Sequence, residues 1–243
     1  MMIRKYYRRI LVACALVVGV GVLFYRLDHQ GFFNLQKIQM DLQIEEQHAG
    51  FFEPLKNQLN EDLKAFENQS LVHLPMGKLH ELLASKTWIE SFHVQRVWPQ
   101  TLRVQMRAYQ VVGVWRYQKQ ARVVLSNGQI LQAADWSKIP DKIHWVGAEF
   151  EKPEVRQNTL KMLKSLPDQG VFKEDELSEI QWNQKEGYKL IHHSGVVLKM
   201  GFDQFPLKAA RIQQVVDYLE SHNTPAQTID ASLRRKVLVK TLR

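Results

Sequence analysis

An unbroken run of apolar residues near the start of the chain is the clearest feature of its hydrophobic pattern. Ile10–Tyr25 contains no charged side chain. At about 1.5 Å per residue it gives a helix of roughly 24 Å, and flanking arginine and tyrosine side chains can bridge the rest of a ~30 Å bilayer core. We therefore predict a transmembrane helix over residues 10–27. A cleaved signal peptide and a lipoprotein signal at Leu11–Cys14 are alternatives, but no cleavage site follows the run and the lipoprotein signal lies inside it.

The charges around this run predict its orientation. Four basic residues lie within residues 1–9, whereas Arg26 after the run is followed by Asp28. Since cytoplasmic flanks carry the excess of lysine and arginine, we predict that residues 1–9 are a cytoplasmic tail and that the chain after residue 27 is periplasmic. The protein would then be a single-pass protein of the inner membrane.

Residues 28–110 change between strand and helix periodicity. Alternating apolar positions predict a strand, two amphipathic stretches predict helices, and a second alternating region divides into two strands at Trp98-Pro99-Gln100. The order strand, helix, helix, strand, strand is the layout of a POTRA module, a small α+β unit that leaves a strand edge open for pairing. The predicted elements lie at Phe32–Leu42, Phe51–Phe66, Pro75–Leu83, Ile89–Trp98 and Leu102–Met106.

Residues 111–243 are dominated by short strands separated by turn residues, with Ser126-Asn127-Gly128 as a strong hairpin signal. Two amphipathic helices are predicted at Glu154–Leu166 and Leu207–Ser221. The chain as a whole therefore reads as an α+β protein with a transmembrane helix, a POTRA domain and a β domain that contains two helices. Strands are predicted at Val111–Tyr117, Ala121–Leu125, Ile130–Leu131, Leu177–Asn183, Tyr188–His192, Val196–Met200, Thr228–Asp230 and Lys236–Leu242.

The net charge of +8 is concentrated at the two ends of the chain. Four basic residues lie within residues 1–9 and five within the last thirteen residues, so that residues 10–230 carry a net charge of −1. A nucleic-acid-binding domain gathers its lysines and arginines on one folded face, and this distribution argues against nucleic acid as a partner. The single cysteine, Cys14, excludes an intramolecular disulfide and a thiolate metal cluster.

Short motifs indicate no catalytic site. His80-Glu81 begins like a zinc-protease helix, but Ala84 occupies the position of the second histidine ligand. His192 and His193 are neighbours on a predicted strand, so their rings point to opposite faces. The acidic run Glu174–Glu176 lacks the spacing of a calcium loop. We predict no catalytic, metal-binding or cofactor-binding residues, no small-molecule substrate, and therefore a protein that is not an enzyme.

Val94–Val104 reads V-x-R-x-W-P-x-T-L-x-V and resembles the segment that closes the POTRA domain of the FtsQ/DivIB cell division family. Other segments agree with the family in order and spacing, so the resemblance covers nearly the whole chain. The chain departs from the family at Arg107–Gln110, where the family has Glu and Pro, and at Ala231–Leu233, where it has Leu-Arg-Tyr. The further similar segments are Val112–Trp115, Ser126–Ile130, Trp145–Gly147, Gly195–Gly201 and Ile229–Asp230.

The resemblance implies a non-enzymatic scaffold of the bacterial divisome at the division septum, which captures the FtsB–FtsL pair and other division proteins through its C-terminal region. The last predicted strand, Lys236–Leu242, has no later element to pair with, so it can accept an added strand from a partner. Basic residues beside it would pair with acidic residues of the partner. The predicted partner-binding residues are Lys208, Arg211, Ile229, Asp230, Leu233, Arg234, Arg235, Val237, Val239 and Thr241.

Three alternatives remain open. In the first, the terminal strand binds no partner and is an edge strand that its basic residues merely keep soluble. In the second, the protein is a POTRA-bearing component of periplasmic secretion or assembly. In the third, the protein is a periplasmic enzyme acting on the cell wall. This alternative stays open because the carboxylates of glycosidases need no local motif.

Overall fold

The computed structural model describes residues 2–118, 120–132 and 136–241, with the side chains of residues 2–10, 12 and 136 outside that description. The fold is of the mixed α+β class with a large sheet-dominated part, which confirms the predicted class in outline. Three parts of the prediction lie outside this description. They are the side chains of the predicted tail, the side chains of two residues of the predicted transmembrane helix, and Leu242 of the last predicted strand.

Helix α1 spans Met2–His29 and precedes the first sheet. Among the residues that the structure describes, no helix has an apolar stretch long enough to cross a membrane. The transmembrane helix over residues 10–27 stays a prediction.

The first unit consists of Met1–Gln43 and Glu53–Ala108. Its elements follow the predicted order of strand, helix, helix, strand, strand, and the assignment to the POTRA class stays a prediction. After α1 these elements are β1 (Lys37–Gln43), α2 (Ala49–Lys64), α3 (Met76–Ala84), β2 (Ile89–Val97) and β3 (Thr101–Ala108). The central strand is β3, which pairs in parallel with β1 and antiparallel with β2.

Alternation along β3 gives the first unit its buried face. Every second residue from Leu102 to Ala108 is buried, and the residues between them are exposed, as expected for a strand with one covered face. Leucines at helical spacing supply further buried side chains. These are Leu59 and Leu63 of α2 and Leu79 and Leu83 of α3.

The second unit, Ile44–Phe52 with Tyr109–Arg243, is built on one nine-stranded sheet. Its strands are β4 (Val111–Tyr117), β5 (Gln120–Leu125), β6 (Ile130–Gln132), β7 (His144–Val146), β8 (Leu177–Asn183), β9 (Gly187–His192), β10 (Val197–Gly201), β11 (Ala226–Asp230) and β12 (Leu238–Thr241). Their order across the sheet is β12-β11-β10-β9-β8-β7-β4-β5-β6. The helices α4 (Pro153–Ser165) and α5 (Phe205–Ser221) lie close to their predicted bounds.

The core of the second unit combines side chains of the sheet with those of α4 and α5. Trp115 of β4 and Trp145 of β7 lie opposite each other in a parallel pair, and both are buried. The indole nitrogen of Trp115 donates to the carbonyl of Gly147 at 2.8 Å. A Cβ atom at Gly113 would overlap the indole of Trp145. The glycine therefore allows β4 and β7 to pair around two large rings.

Candidate partner-binding edge

Strand β12 forms one end of the nine-stranded sheet and pairs with β11. In the described part of the chain, no strand pairs with its other side. Alternate residues of an antiparallel edge strand direct their N–H and C=O groups away from the sheet, so β12 offers backbone groups to a further strand. The strand predicted at Lys236–Leu242 is observed over Leu238–Thr241.

The two faces of β12 present different side chains. Val239 lies opposite the fully buried Ile229 and is 38% exposed, whereas Leu238 lies opposite Asp230 and is 53% exposed. Residues directly opposite each other in a ladder point to the same face of the sheet. An added strand would therefore meet an apolar side chain on each face. Val237, just before the strand, is partly buried against the core.

The loop between β11 and β12 is held to the sheet through its first residues. The N–H of Ala231 donates to the carbonyl of Lys199 at 3.0 Å, and the N–H of Ser232 donates to Oδ1 of Asp230 at 2.9 Å. Asp230 is half-buried and uses its carboxylate inside the loop. A contact between Asp230 and a partner stays a prediction.

An arginine of α5 holds the middle of the same loop. Nη1 of Arg211 donates to the carbonyl of Arg234 at 2.6 Å. The bond uses the backbone of Arg234, so the guanidinium group of that residue remains exposed together with Leu233 and Arg235. Three of the predicted partner-binding residues thus form one exposed stretch directly before β12.

Lys208, a predicted partner-binding residue, is buried within the fold, and its contact with a partner stays a prediction. Its side chain is 1% exposed, and Nζ donates to the carbonyl of Met200 at 3.0 Å and to Oδ1 of Asp203 at 2.9 Å. The hydrogen bond from Lys208 lowers the pKa of Asp203, because it favours the ionised carboxylate. The side chain of Ile229, another predicted partner-binding residue, is also fully buried in the core.

The turn after β10 approaches this loop closely. A Cβ atom at Gly201, where φ is +68°, would lie 3.3 Å from Cα of Ser232. The exposed rings and methyl groups of Phe202 and Leu207 follow this glycine. These two residues and Leu238 are exposed apolar side chains outside the predicted partner-binding set. The sequence signals for them are a bulky apolar residue directly after a glycine turn and the adjacent apolar pair Leu238-Val239.

An apolar cavity of about 280 Å³ lies between α5 and the strands β10 and β11. Ala226, which lines the cavity, is opposite Thr241 in the β11–β12 ladder. The cavity therefore lies beside the far end of the open strand and has room for an apolar side chain. Its other apolar walls include Val196, Leu198, Val216, Leu219 and Ile229.

His192, the last residue of β9, has polar neighbours at both ring nitrogens. Its Nε2 lies 3.1 Å from Oε2 of Glu176, and its Nδ1 lies 2.8 Å from Oγ of Ser194. An acid, an imidazole and a hydroxyl in this order are typical of a nucleophilic triad. Here, however, Nδ1 also accepts the backbone N–H of Ser194 at 3.1 Å, so the contacts close the turn between β9 and β10. No group of three metal-ligating side chains occurs among the described residues.

A family model described as "Cell division protein FtsQ/DivIB, C-terminal" matches residues 113–232. The match begins within β4 and ends in the loop after β11. The open strand β12 therefore follows the matched region directly.

Two relatives match along most of their length. The "Cell division protein FtsQ" of Geobacter sp. (strain M21) is 25% identical over 250 residues, which cover 98% of this chain and 88% of the relative. The protein of the same description from Geotalea daltonii is 24% identical over 255 residues, which cover 96% and 89%. The solved major extracytoplasmic domain of the trans isomer of DivIB from Geobacillus stearothermophilus matches 46% of this chain and 95% of its own, with 17% identity and a TM-score of 0.35.

Proposed function

The chain belongs to the FtsQ/DivIB family of cell division proteins, and from this premise we propose that it is a non-enzymatic scaffold of the divisome. The observation that carries the proposal is the open edge of β12, where backbone groups and apolar side chains are exposed together. An added strand would form main-chain hydrogen bonds with β12, and the side chains on its two faces would select the sequence of that strand. The protein then joins other division proteins and transforms no substrate.

The proposed partner is the FtsB–FtsL pair, which the family resemblance implies. Exposed basic residues favour a partner segment that is rich in Asp and Glu. Arg234, Arg235 and Lys236 lie in the loop before β12, and Lys240 lies within the strand. Such charges raise the rate of association and orient the partner more than they add affinity.

The proposed location is the inner membrane at the division septum, with α1 as a single transmembrane anchor and the chain after α1 in the periplasm. The uncharged run Ile10–Tyr25 supports this location, as does the excess of basic residues before it. The large apolar side chains of α1 between Leu16 and Leu23 are also exposed. Lipid would cover such a surface.

Depletion of the protein from growing cells tests the role in division. We expect the cells to form filaments, because growth continues while the septum fails to assemble, and we expect re-expression to restore division. Normal division together with a secretion defect would contradict the proposal. Release of fragments from purified peptidoglycan by the protein would contradict a non-enzymatic role.

A matched pair of charge reversals tests the capture of the partner. Arg234→Glu combined with Arg235→Glu reverses two charges beside β12, whereas Lys164→Glu combined with Lys185→Glu reverses two exposed charges in α4 and in the turn between β8 and β9. We expect the first variant to bind the FtsB–FtsL pair more weakly, with a larger difference at low salt. The second variant should bind as the wild type does. Equal binding by all three proteins would argue against this edge as the contact.

A further inference from the structure

A series of aromatic rings connects the end of α1 to the turn between β2 and β3. Phe33 is buried at its centre, with its ring centroid 4.7 Å from that of Phe24 and 5.5 Å from that of Trp98. Phe32 packs edge-on against Phe33 at 5.2 Å. The outer rings are exposed, by 46% for Phe24, 47% for Phe32, 51% for Trp98 and 71% for the neighbouring Tyr25. We call these four exposed residues the aromatic collar.

Hydrogen bonds fix the end of α1 to the first unit. Oδ1 of Asp28 accepts a hydrogen bond from Oγ of Ser70 at 2.5 Å, and Oδ2 lies 3.3 Å from Nε2 of His73. The N–H of Phe32 donates to the carbonyl of Leu27 at 3.0 Å, so α1 leads into the unit without a free linker. These bonds hold the collar at the level of the last turn of the apolar run.

Exposed cations lie beside the collar. Arg26 follows Tyr25 in α1, and Lys37 pairs with Thr101 at the end of the turn that carries Trp98. The nearby acid Asp28 is already engaged with Ser70 and His73. Aromatic rings next to cations are typical of the membrane interface, where indole and phenol rings lie among the lipid headgroups and cations meet the phosphates.

We propose that the collar lies in the headgroup layer of the bilayer, so that the turn carrying Trp98 rests on the membrane surface. The proposal rests on the proposed anchor, because a bilayer around α1 places Phe24 at the interface, and the ring of Phe33 contacts those of both Phe24 and Trp98. A lipid surface is the occupant that the geometry favours, since the apolar surface continues from α1 onto the turn. The contact would set the height of the first unit above the membrane.

Quenching of tryptophan fluorescence by brominated lipids tests this contact on the full-length protein in phospholipid vesicles. Bromine near the headgroup end of the acyl chains quenches an indole at that depth. We expect wild-type emission to fall in these vesicles and Trp98→Phe to lose most of the quenching, because phenylalanine keeps an aromatic ring but removes the fluorophore. The matched control is Trp182→Phe in β8, which should be quenched as the wild type is.

Equal quenching of the wild type and Trp98→Phe would overturn the proposal. A protein that floats with the vesicles but shows no quenching at Trp98 would overturn the collar contact and leave the anchor standing. A protein that does not float with the vesicles would contradict both. If Trp98 contacts another protein in place of lipid, vesicles that contain only this chain and phospholipid will show no quenching of Trp98.

Discussion

The ammonium nitrogen of Lys208 lies 2.9 Å from Oδ1 of Asp203, and the lysine side chain is 1% exposed. The carbonyl of Met200 accepts a second hydrogen bond from the same nitrogen at 3.0 Å. A buried cation needs such partners, because an unpaired buried charge is strongly destabilising. Lys208 thus stabilises the turn after β10, and its charge is used inside the fold.

Replacement of Lys208 by methionine is expected to lower the thermal unfolding midpoint and to leave partner binding unchanged. Methionine preserves most of the buried volume but removes the donor to the carbonyl of Met200, and a buried polar group without a partner costs about 1–3 kcal/mol. Thermal unfolding and titration with the FtsB–FtsL pair measure the two effects separately. If binding falls as far as in Arg234→Glu/Arg235→Glu, Lys208 is a contact after all.

Arg156 is a second buried cation, and its hydrogen bonds run to backbone carbonyls. Nε donates to Gly128 at 2.7 Å, and Nη1 donates to Phe150 and Glu151 at 2.8 Å each. Burial lowers the pKa of the guanidinium group, because it disfavours the charged form. The side chain connects α4 to the turn between β5 and β6 and to the segment before α4.

Arg156→Met is expected to reduce the free energy of unfolding by about 1.5–3 kcal/mol, since hydrogen bonds from a charged donor are lost. Arg156→Lys should lose less, because an ammonium group can still reach part of the carbonyl set. Lys164→Met, at an exposed position of the same helix, should stay within about 0.5 kcal/mol of the wild type. Urea unfolding measures all three variants. Similar losses for Arg156→Met and Lys164→Met would show that the carbonyl contacts contribute little.

His48 is a buried histidine of the second unit. The ring is 3% exposed, and its Nδ1 lies 3.3 Å from Oε2 of Glu45. Burial lowers the pKa of His48, and Lys142 lowers it further, whereas the carboxylate of Glu45 opposes the shift. The folded protein therefore binds a proton at this site less readily than the unfolded chain does.

Stability is expected to fall as the pH decreases from about 7.5 to 5.5, across the ordinary histidine pKa of ~6.5. Over this range the unfolded chain takes up a proton at His48 before the folded protein does, so the free energy of unfolding rises with pH. His48→Gln should show a smaller dependence. Part of the pH dependence should remain in this variant, because His144 contributes in the same direction. Burial lowers the pKa of His144, and the positive charge of Arg116 lowers it further. Unfolding curves at the two pH values provide the measurement, and parallel losses in wild type and variant would exclude His48 as a source.

Periodicity is enough to predict elements that bury one face. The helical stripe of α5 and the alternation of β3 both appear directly in the sequence. The same stripe contains Lys208, which lies four residues before the buried Ile212. Its burial can therefore be inferred from spacing, whereas its charge alone suggests a surface position.

Pairing between distant strands is harder to predict from the sequence. Strand β7 has three residues, and its place between β4 and β8 depends on burial of Trp145 and on the space that Gly113 leaves. No local pattern contains that information. The sequence places Trp98 in a turn between two strands, but the exposure of its ring depends on how the residues around the end of α1 pack beside that turn.

Proline substitutions at two neighbouring positions of β12 test strand addition most directly. The N–H groups of Val239 and Lys240 point in opposite directions, so one pairs with β11 and the other faces outward. Proline at the outward position removes a donor that only an added strand would use. We predict that one of Val239→Pro and Lys240→Pro binds the FtsB–FtsL pair about tenfold or more weakly, a loss of ~1.4 kcal/mol or more, while its unfolding midpoint is unchanged. If both variants are folded and bind the pair as the wild type does, β12 does not accept a strand from the partner.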